Sequence, residues 1–135
     1  MTTERYQYNG QLAHDICYGC GSKSMKNTFA YFRMMQHNSP QTFWCEFEGE
    51  DGFYVANRGR DHVRLVGIAV RSSAQGRGIG KKLFFSLLSR AKQAGLSKVT
   101  FRTSIYERAQ DFYAKMGCKV VGLKDDDFEM EYSIL

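Results

Sequence analysis

The sequence predicts a mixed α/β fold: a mostly antiparallel sheet with a central parallel strand pair, flanked by helices. Three observations predict it. Between residues 42 and 70, three strand-like segments follow one another through short turns, the pattern of an antiparallel meander. Between residues 62 and 102, an apolar run, a glycine-rich segment, an amphipathic helix and a second β-like segment form a strand–helix–strand crossover. Such a connection makes its two strands parallel and right-handed. After residue 118, two further strand-like segments flank an acidic turn, and the last alternates Phe128, Met130, Tyr132 and Ile134 with Glu129, Glu131 and Ser133.

Taken in order, residues 4–8 read as a short strand closed by an Asn9-Gly10 turn. Residues 11–20 form a weaker helical pattern, interrupted by Gly19 and Gly21. Met25, Phe29, Phe32 and Met35 recur at spacings of three and four, so a helix is expected after Ser22 or Ser24, ending at residues 37–40 where the single proline, Pro40, stops it. Strands are expected over residues 42–48 and 53–56, with turns at Glu50-Asp51-Gly52 and at residues 57–60. The third strand, residues 62–70, is nearly all apolar after Arg64 and belongs at the centre of the sheet. Ile79, Leu83, Phe84, Leu87, Leu88, Ala91 and Ala94 then make one helical stripe, stopped by Gly95. A strand over residues 98–102 follows. A second helix runs over residues 106–116, with Ala109, Phe112, Tyr113 and Met116 on one face and Gly117 as its stop, and a strand over 118–123 leads to the Asp125-Asp126-Asp127 turn. No repeat or linker interrupts the pattern, so residues 1–135 are expected to form one domain.

Composition narrows the function classes. A chain of 135 residues with 43% hydrophobic and 24% charged residues can bury a core without staples. No apolar run reaches the roughly 20 residues that span a bilayer, and the polar start lacks a signal-peptide core, so a cytoplasmic protein with no membrane partner is expected. The net charge of +5 suits an anionic ligand, and the basic residues are too dispersed for a nucleic-acid arm. Cys17-Tyr18-Gly19-Cys20 has C-x-x-C spacing, but Cys45 and Cys118 stand alone without a nearby His. Free thiols in a reducing compartment are expected, and no metal. Three adjacent aspartates do not converge on a cation and read as a hairpin turn. Phe43, Trp44 and Phe53 are expected to form an exposed apolar patch suited to a homodimer.

The chemistry concentrates in residues 66–83, which pass from apolar strand through Gln75-Gly76-Arg77-Gly78-Ile79-Gly80-Lys81 into a helix. Glycines let backbone approach a ligand, and the free amides of a helix start point at negative charge, so this segment is built to hold a phosphate. It is neither a P-loop, which needs Gly-x-x-x-x-Gly-Lys-Ser/Thr, nor the dinucleotide fingerprint, whose third glycine would fall at Leu83. Gln75-Gly76-Arg77-Gly78-Ile79-Gly80 resembles the Gln/Arg-x-x-Gly-x-Gly/Ala signature of the GNAT superfamily of N-acetyltransferases, at that family's spacing from Ile68-Ala69-Val70. Residues 107–118, with Ala109, Tyr113 and Lys115-Met116-Gly117-Cys118, resemble its second motif. The resemblance covers residues 42–135 well and residues 1–41 only as two loosely placed helices.

The resemblance implies acetyl-CoA as acyl donor and a primary amine as acceptor. Its pyrophosphate would rest on the amides of Gln75, Gly76, Arg77, Gly78, Ile79, Gly80 and Lys81, with charge added by Arg77 and Lys81. The pantetheine arm would pair with Ile68, Ala69 and Val70, which requires the central parallel strands to splay apart around the cofactor. A backbone N–H near Ile68 or Ala69 would polarise the thioester carbonyl. Tyr113 matches the tyrosine that protonates the leaving thiolate. For the base, His62 is the candidate, with Asp61 and Glu46 behind it, because the family often has a Glu at one of the positions held by His62 and Arg64, which share a strand face, and Arg64 cannot serve. Tyr106 stands where the family has a cofactor-contacting Asn, and Cys118 replaces the usual Phe. A small-molecule amine is the favoured acceptor. A protein or peptide acceptor, an aminoacyl-tRNA acceptor and a non-catalytic acyl-CoA-binding module share the same motifs.

Overall fold

A computed structural model describes residues 3–20, 37–39, 41–106 and 109–134. The helix expected after Ser22 lies outside the described residues except at its end, where His37 and Asn38 are helical.

The N-terminal segment is not a strand but a single 3-10 turn, Thr3–Tyr6. The cause is Asn9. Its Oδ1 accepts the amide of Leu12 at 3.0 Å and its carbonyl accepts Ala13 at 2.9 Å, so it caps a helix instead of closing a hairpin. That helix, α1 (Gly10–Cys20), buries Ala13, Ile16 and Cys17 on one face and packs on the second and third strands.

Among the described residues, six strands form one sheet: β1 (Phe43–Glu48), β2 (Gly52–Arg58), β3 (His62–Val70), β4 (Lys98–Ser104), β5 (Lys119–Lys124) and β6 (Asp127–Ser133), in the order β1-β2-β3-β4-β6-β5. All neighbours are antiparallel except β3 and β4, which the crossover helix α2 (Ile79–Gln93) makes parallel. The α2 stripe expected from sequence is the stripe that is buried: Leu83, Phe84, Leu87, Leu88 and Ala91. Its end is closed as expected by Gly95 at φ 76°. Gly95 donates to Lys92 and Leu96 to Ala91, the paired bonds of a Schellman stop. A short helix α3 (Ala109–Lys115) leads into the β5–β6 hairpin, whose turn holds Asp125 at φ 55°.

Two cores flank the sheet. On its back, α2 and α3 cover Trp44, Tyr54, Val63, Leu65, Val99, Phe101 and Met130. On its front, α1 covers Phe43, Cys45, Phe47, Phe53, Val55 and Ala69. The strands β1 and β2 are thus packed on both faces, and Phe43, Trp44 and Phe53 are buried at 5%, 6% and 0% exposure. The exposed patch expected of them does not exist, because each joins one of the two cores.

Candidate active site

The site is made by two local features of β3. The first is where its pairing stops. His62, Val63 and Arg64 pair with Lys98, Val99 and Thr100, and no pair follows, although both strands continue. The strands therefore diverge from Arg64–Thr100 onward. The second is a bulge. On β2, Val55 faces Gly67 and Ala56 faces Leu65, which leaves Val66 without a partner. The bulge also resets which side chains face which side. Val63, Leu65 and then Ile68 join the back core, whereas Ala69 joins the front. Gly67 inside a strand pattern was the one sequence signal for it.

The divergence opens a cleft of about 570 Å³ on the back of the sheet. Ile68 and Val70 form one wall, Ala109, Phe112 and Tyr113 of α3 the other. The mouth is Ala74, Gln75, Gly76, Gly78, Ile79, Gly80 and Lys81. Gln75 folds back to donate to the Val70 carbonyl at 3.1 Å, which fixes the start of the loop. Gly76 and Gly78 have φ of 82° and 80°, a left-handed conformation that side chains resist, and a Cβ on either would meet open space. Gly78 is the N-cap of α2 and offers no side-chain cap, so the first amides of the helix have no partner from their own helix or from a cap. Uncapped amides, a positive helix end and the Lys81 side chain at one mouth make an anion seat that fits a pyrophosphate. A Cβ on Gly80 would come within 3.4 Å of the Phe112 ring and 3.7 Å of Val70, so glycine keeps the neck of the cleft open.

Tyr113 is held rigidly. Its ring lies 4.3 Å from that of Phe101 and 5.6 Å from that of Phe84, and only 6% of the residue is exposed. Burial, with a smaller contribution from the neighbouring Cys118 thiol, pushes its phenol well above the ordinary range, so it carries its proton at any physiological pH. Cys118 is also buried, and its thiol is pushed up to about 11.

The residues expected at the site divide into two sets. Ile68, Val70, Gln75, Gly76, Gly78, Ile79, Gly80, Lys81 and Tyr113 line the cleft together. Arg77 is exposed on the loop without lining it. The side chain of Ala69 points into the front core, and Tyr106, 78% exposed in the turn before α3, also stands off the lining. The structure does not bring His62 to the cleft. His62 lies at the closed end of the strand pair, six residues or roughly 20 Å of strand from Ile68, and its Nδ1 is 2.9 Å from Asp61. That contact holds the Asp61 carboxyl below its usual range. Glu46 faces a separate cavity beneath α2, where Ser86 donates to it at 2.6 Å. Among the described residues lining the cleft there is no His, Asp or Glu. Sequence reasoning did not single out Ala74 and Phe112 as lining residues, and it passed over Val66; all three depend on how separate elements meet.

Comparison with known proteins bears on this arrangement. No curated protein matches the sequence. Solved structures share the fold at low identity. A protein from Desulfovibrio desulfuricans assigned to the GNAT family superposes with a TM-score of 0.82 at 14% identity, covering 97% of this chain and 98% of that one. PaiA N-acetyltransferase from Thermoplasma acidophilum, solved with coenzyme A, gives 0.72 at 17%, with 92% and 89% covered. The ribosomal-protein-S18-alanine N-acetyltransferase of Escherichia coli gives 0.74 at 16%, with 96% and 91% covered. A sequence profile of the acetyltransferase (GNAT) family matches residues 14–118, a span that contains the divergent strands, the glycine loop and Tyr113. A diverging β3–β4 pair, an uncapped glycine loop and a profile match over most of the sequence agree with one another, and the chain belongs to the GNAT family of acetyltransferases.

Proposed function

We propose that this protein transfers the acetyl group of acetyl-CoA to a primary amine of a small molecule by direct attack. The observation that carries the reading is the divergence of β3 from β4 immediately before a bulge and an uncapped helix start. One strand thus offers free backbone along its length and an anion seat at its end. Residues 75–81 would hold the pyrophosphate, and Ile68 to Val70 would pair with the pantetheine arm through their backbone. Coenzyme A supplies the activated thioester, and everything else falls to the chain. The backbone of residues 66–68, on the edge of β3 that no longer pairs with β4, would donate to the thioester oxygen as negative charge develops there. The Tyr113 hydroxyl gives its proton to the departing thiolate. No side chain is assigned as base. The amine enters as its free base, and its surplus proton leaves to water after the C–N bond forms.

A free-thiol release assay with acetyl-CoA over polyamines, aminoglycosides, amino acids and peptides tests this. Acceptor-dependent release, with an acetylated product seen by mass spectrometry, is expected. Tight binding of coenzyme A with no release for any amine would instead establish a non-catalytic acyl-CoA-binding module.

A further inference from the structure

The end of the cleft where β3 and β4 part carries a charged cluster on the front of the sheet. Arg64, the last residue of β3 paired with β4, donates from Nη1 to Thr100 Oγ1 at 3.2 Å and to Glu129 Oε1 at 3.3 Å. Its Nη2 donates to Glu129 Oε2 at 3.2 Å. Glu129 lies on β6, so the guanidinium reaches across β4 to a carboxylate two strands away. Arg102 of β4 also addresses Glu129, its Nε 3.8 Å from Oε1. Two guanidiniums share one carboxylate, which leaves the trio with one positive charge in excess. The side chains stay open, at 37% exposure for Arg64, 43% for Arg102 and 32% for Glu129.

The position of this trio matters more than its sign. Neighbours of Arg64, Arg102 and Glu129 along their strands, namely Val63, Leu65, Phe101 and Met130, all belong to the back core. The trio therefore faces front by strand alternation. The back of the divergence is the cleft between Ile68 and Tyr113 that the donor would fill, so an acceptor reaches the thioester from the front. Arg64 precedes the bulged Val66 by two residues, about 7 Å of strand. An acceptor whose amine points at residues 66–68 has its far end over Arg64 and Arg102.

We infer that Arg64 and Arg102 select an acceptor that carries a carboxylate a few bonds from its reactive amine. Resting on the acetyltransferase reading above, this names the substrate class of that same site. The planar fork of a guanidinium matches a carboxylate, and the excess charge of the trio is what such a group would neutralise. Glu129 orients both guanidiniums and, by the same charge, opposes a polycationic acceptor. Arg64 is a specificity-determining residue here and takes no part in proton transfer.

The test compares acceptors matched in shape: glycine, β-alanine and γ-aminobutyrate against their carboxamides, by kcat/KM with acetyl-CoA, in the full-length wild type and in Arg64→Gln and Glu129→Gln. The wild type should favour at least one of the carboxylates over its amide by about tenfold or more. Arg64→Gln should erase that preference with coenzyme A affinity kept, and Glu129→Gln should raise it. The opposite signs separate recognition from a structural staple, which both substitutions would loosen alike. Equal or better use of the amides overturns the inference while leaving the acetyltransferase reading intact. Parallel loss in both variants overturns it in favour of the staple. No transfer to any amine, acidic or amide, overturns the acetyltransferase reading and this inference with it.

Discussion

The glycines of the loop make different demands, and Gly80→Ala separates them most sharply. Gly76 and Gly78 occupy left-handed backbone, so alanine there costs about 1–2 kcal/mol of stability even though the space for a methyl is open. Gly80 lies in the first turn of α2, and its backbone is not in that region. Its new Cβ would meet Phe112 at 3.4 Å and Val70 at 3.7 Å, ordinary contact distances that need no rearrangement. Alanine also has the higher helix propensity, up to about 1 kcal/mol. The fold should therefore be unchanged or slightly more stable. The signature that residues 75–80 resemble admits Ala at this place, so Gly80→Ala should also keep coenzyme A affinity, whereas the γ-methyls of Gly80→Val would reach into the neck of the cleft, beside the amides proposed to seat the pyrophosphate. Losing one charge-assisted hydrogen bond there is worth roughly 1.5–3 kcal/mol, or about ten- to a hundredfold in coenzyme A affinity. Thermal unfolding and calorimetric titration of coenzyme A together read both effects. Gly80→Val with unaltered affinity would refute the placement of the pyrophosphate at this neck. A large loss of stability in Gly80→Ala would refute the reading of the contacts.

Three further outcomes are expected. Tyr113→Phe should reduce turnover by roughly 10²–10⁴-fold with coenzyme A affinity kept, since only the transferable proton is lost; unchanged turnover removes the phenol from the mechanism. His62→Ala should leave kcat/KM within about twofold at any pH, because roughly 20 Å of strand separates it from the reacting atoms; a lost acidic limb in the pH profile would restore it as a base. Stability should fall above pH 9. Burial raises the thiols of Cys118 and Cys45 from the ordinary 9.0 to about 11 and about 12, so the unfolded chain releases these protons while the fold retains them. Below pH 9 both states hold the protons and there is no effect. Between 9 and 11 the loss is about 3 kcal/mol per pH unit for the two thiols together. Chemical denaturation across this range that shows no decline would mean the thiols are solvated in the fold.

How legible these features were depended on how local their causes are. The α2 stripe, the Gly95 stop and the glycine loop follow from residues a few positions apart, and each appears where spacing places it. Residues 4–8 misled because Asn9 suits a turn and a helix cap equally, and only the Leu12 amide it finds decides between them. Phe43, Trp44 and Phe53 misled because alternation shows that a strand has two faces, not that both are covered. His62 was sought as a base because it shares a strand face with Arg64, at one of which positions the resembled family often has a carboxylate. Which end of that strand opens depends on β4, and sequence does not show where pairing with it stops. Likewise, Arg64 and Glu129 are 65 positions apart, and only the β4–β6 register brings them together.

The central claim is that coenzyme A lies along the diverging part of β3 with its pyrophosphate on the start of α2. Backbone amide chemical shifts recorded during a coenzyme A titration test it most directly. The account predicts the largest changes at Gly76, Gly78, Gly80 and Lys81, a second group at Val66, Gly67 and Ile68, and little at His62 and Val63, where β3 remains paired. Changes centred on Tyr6, Glu46 and Arg90, which line a separate cavity, or no change at all, would contradict it.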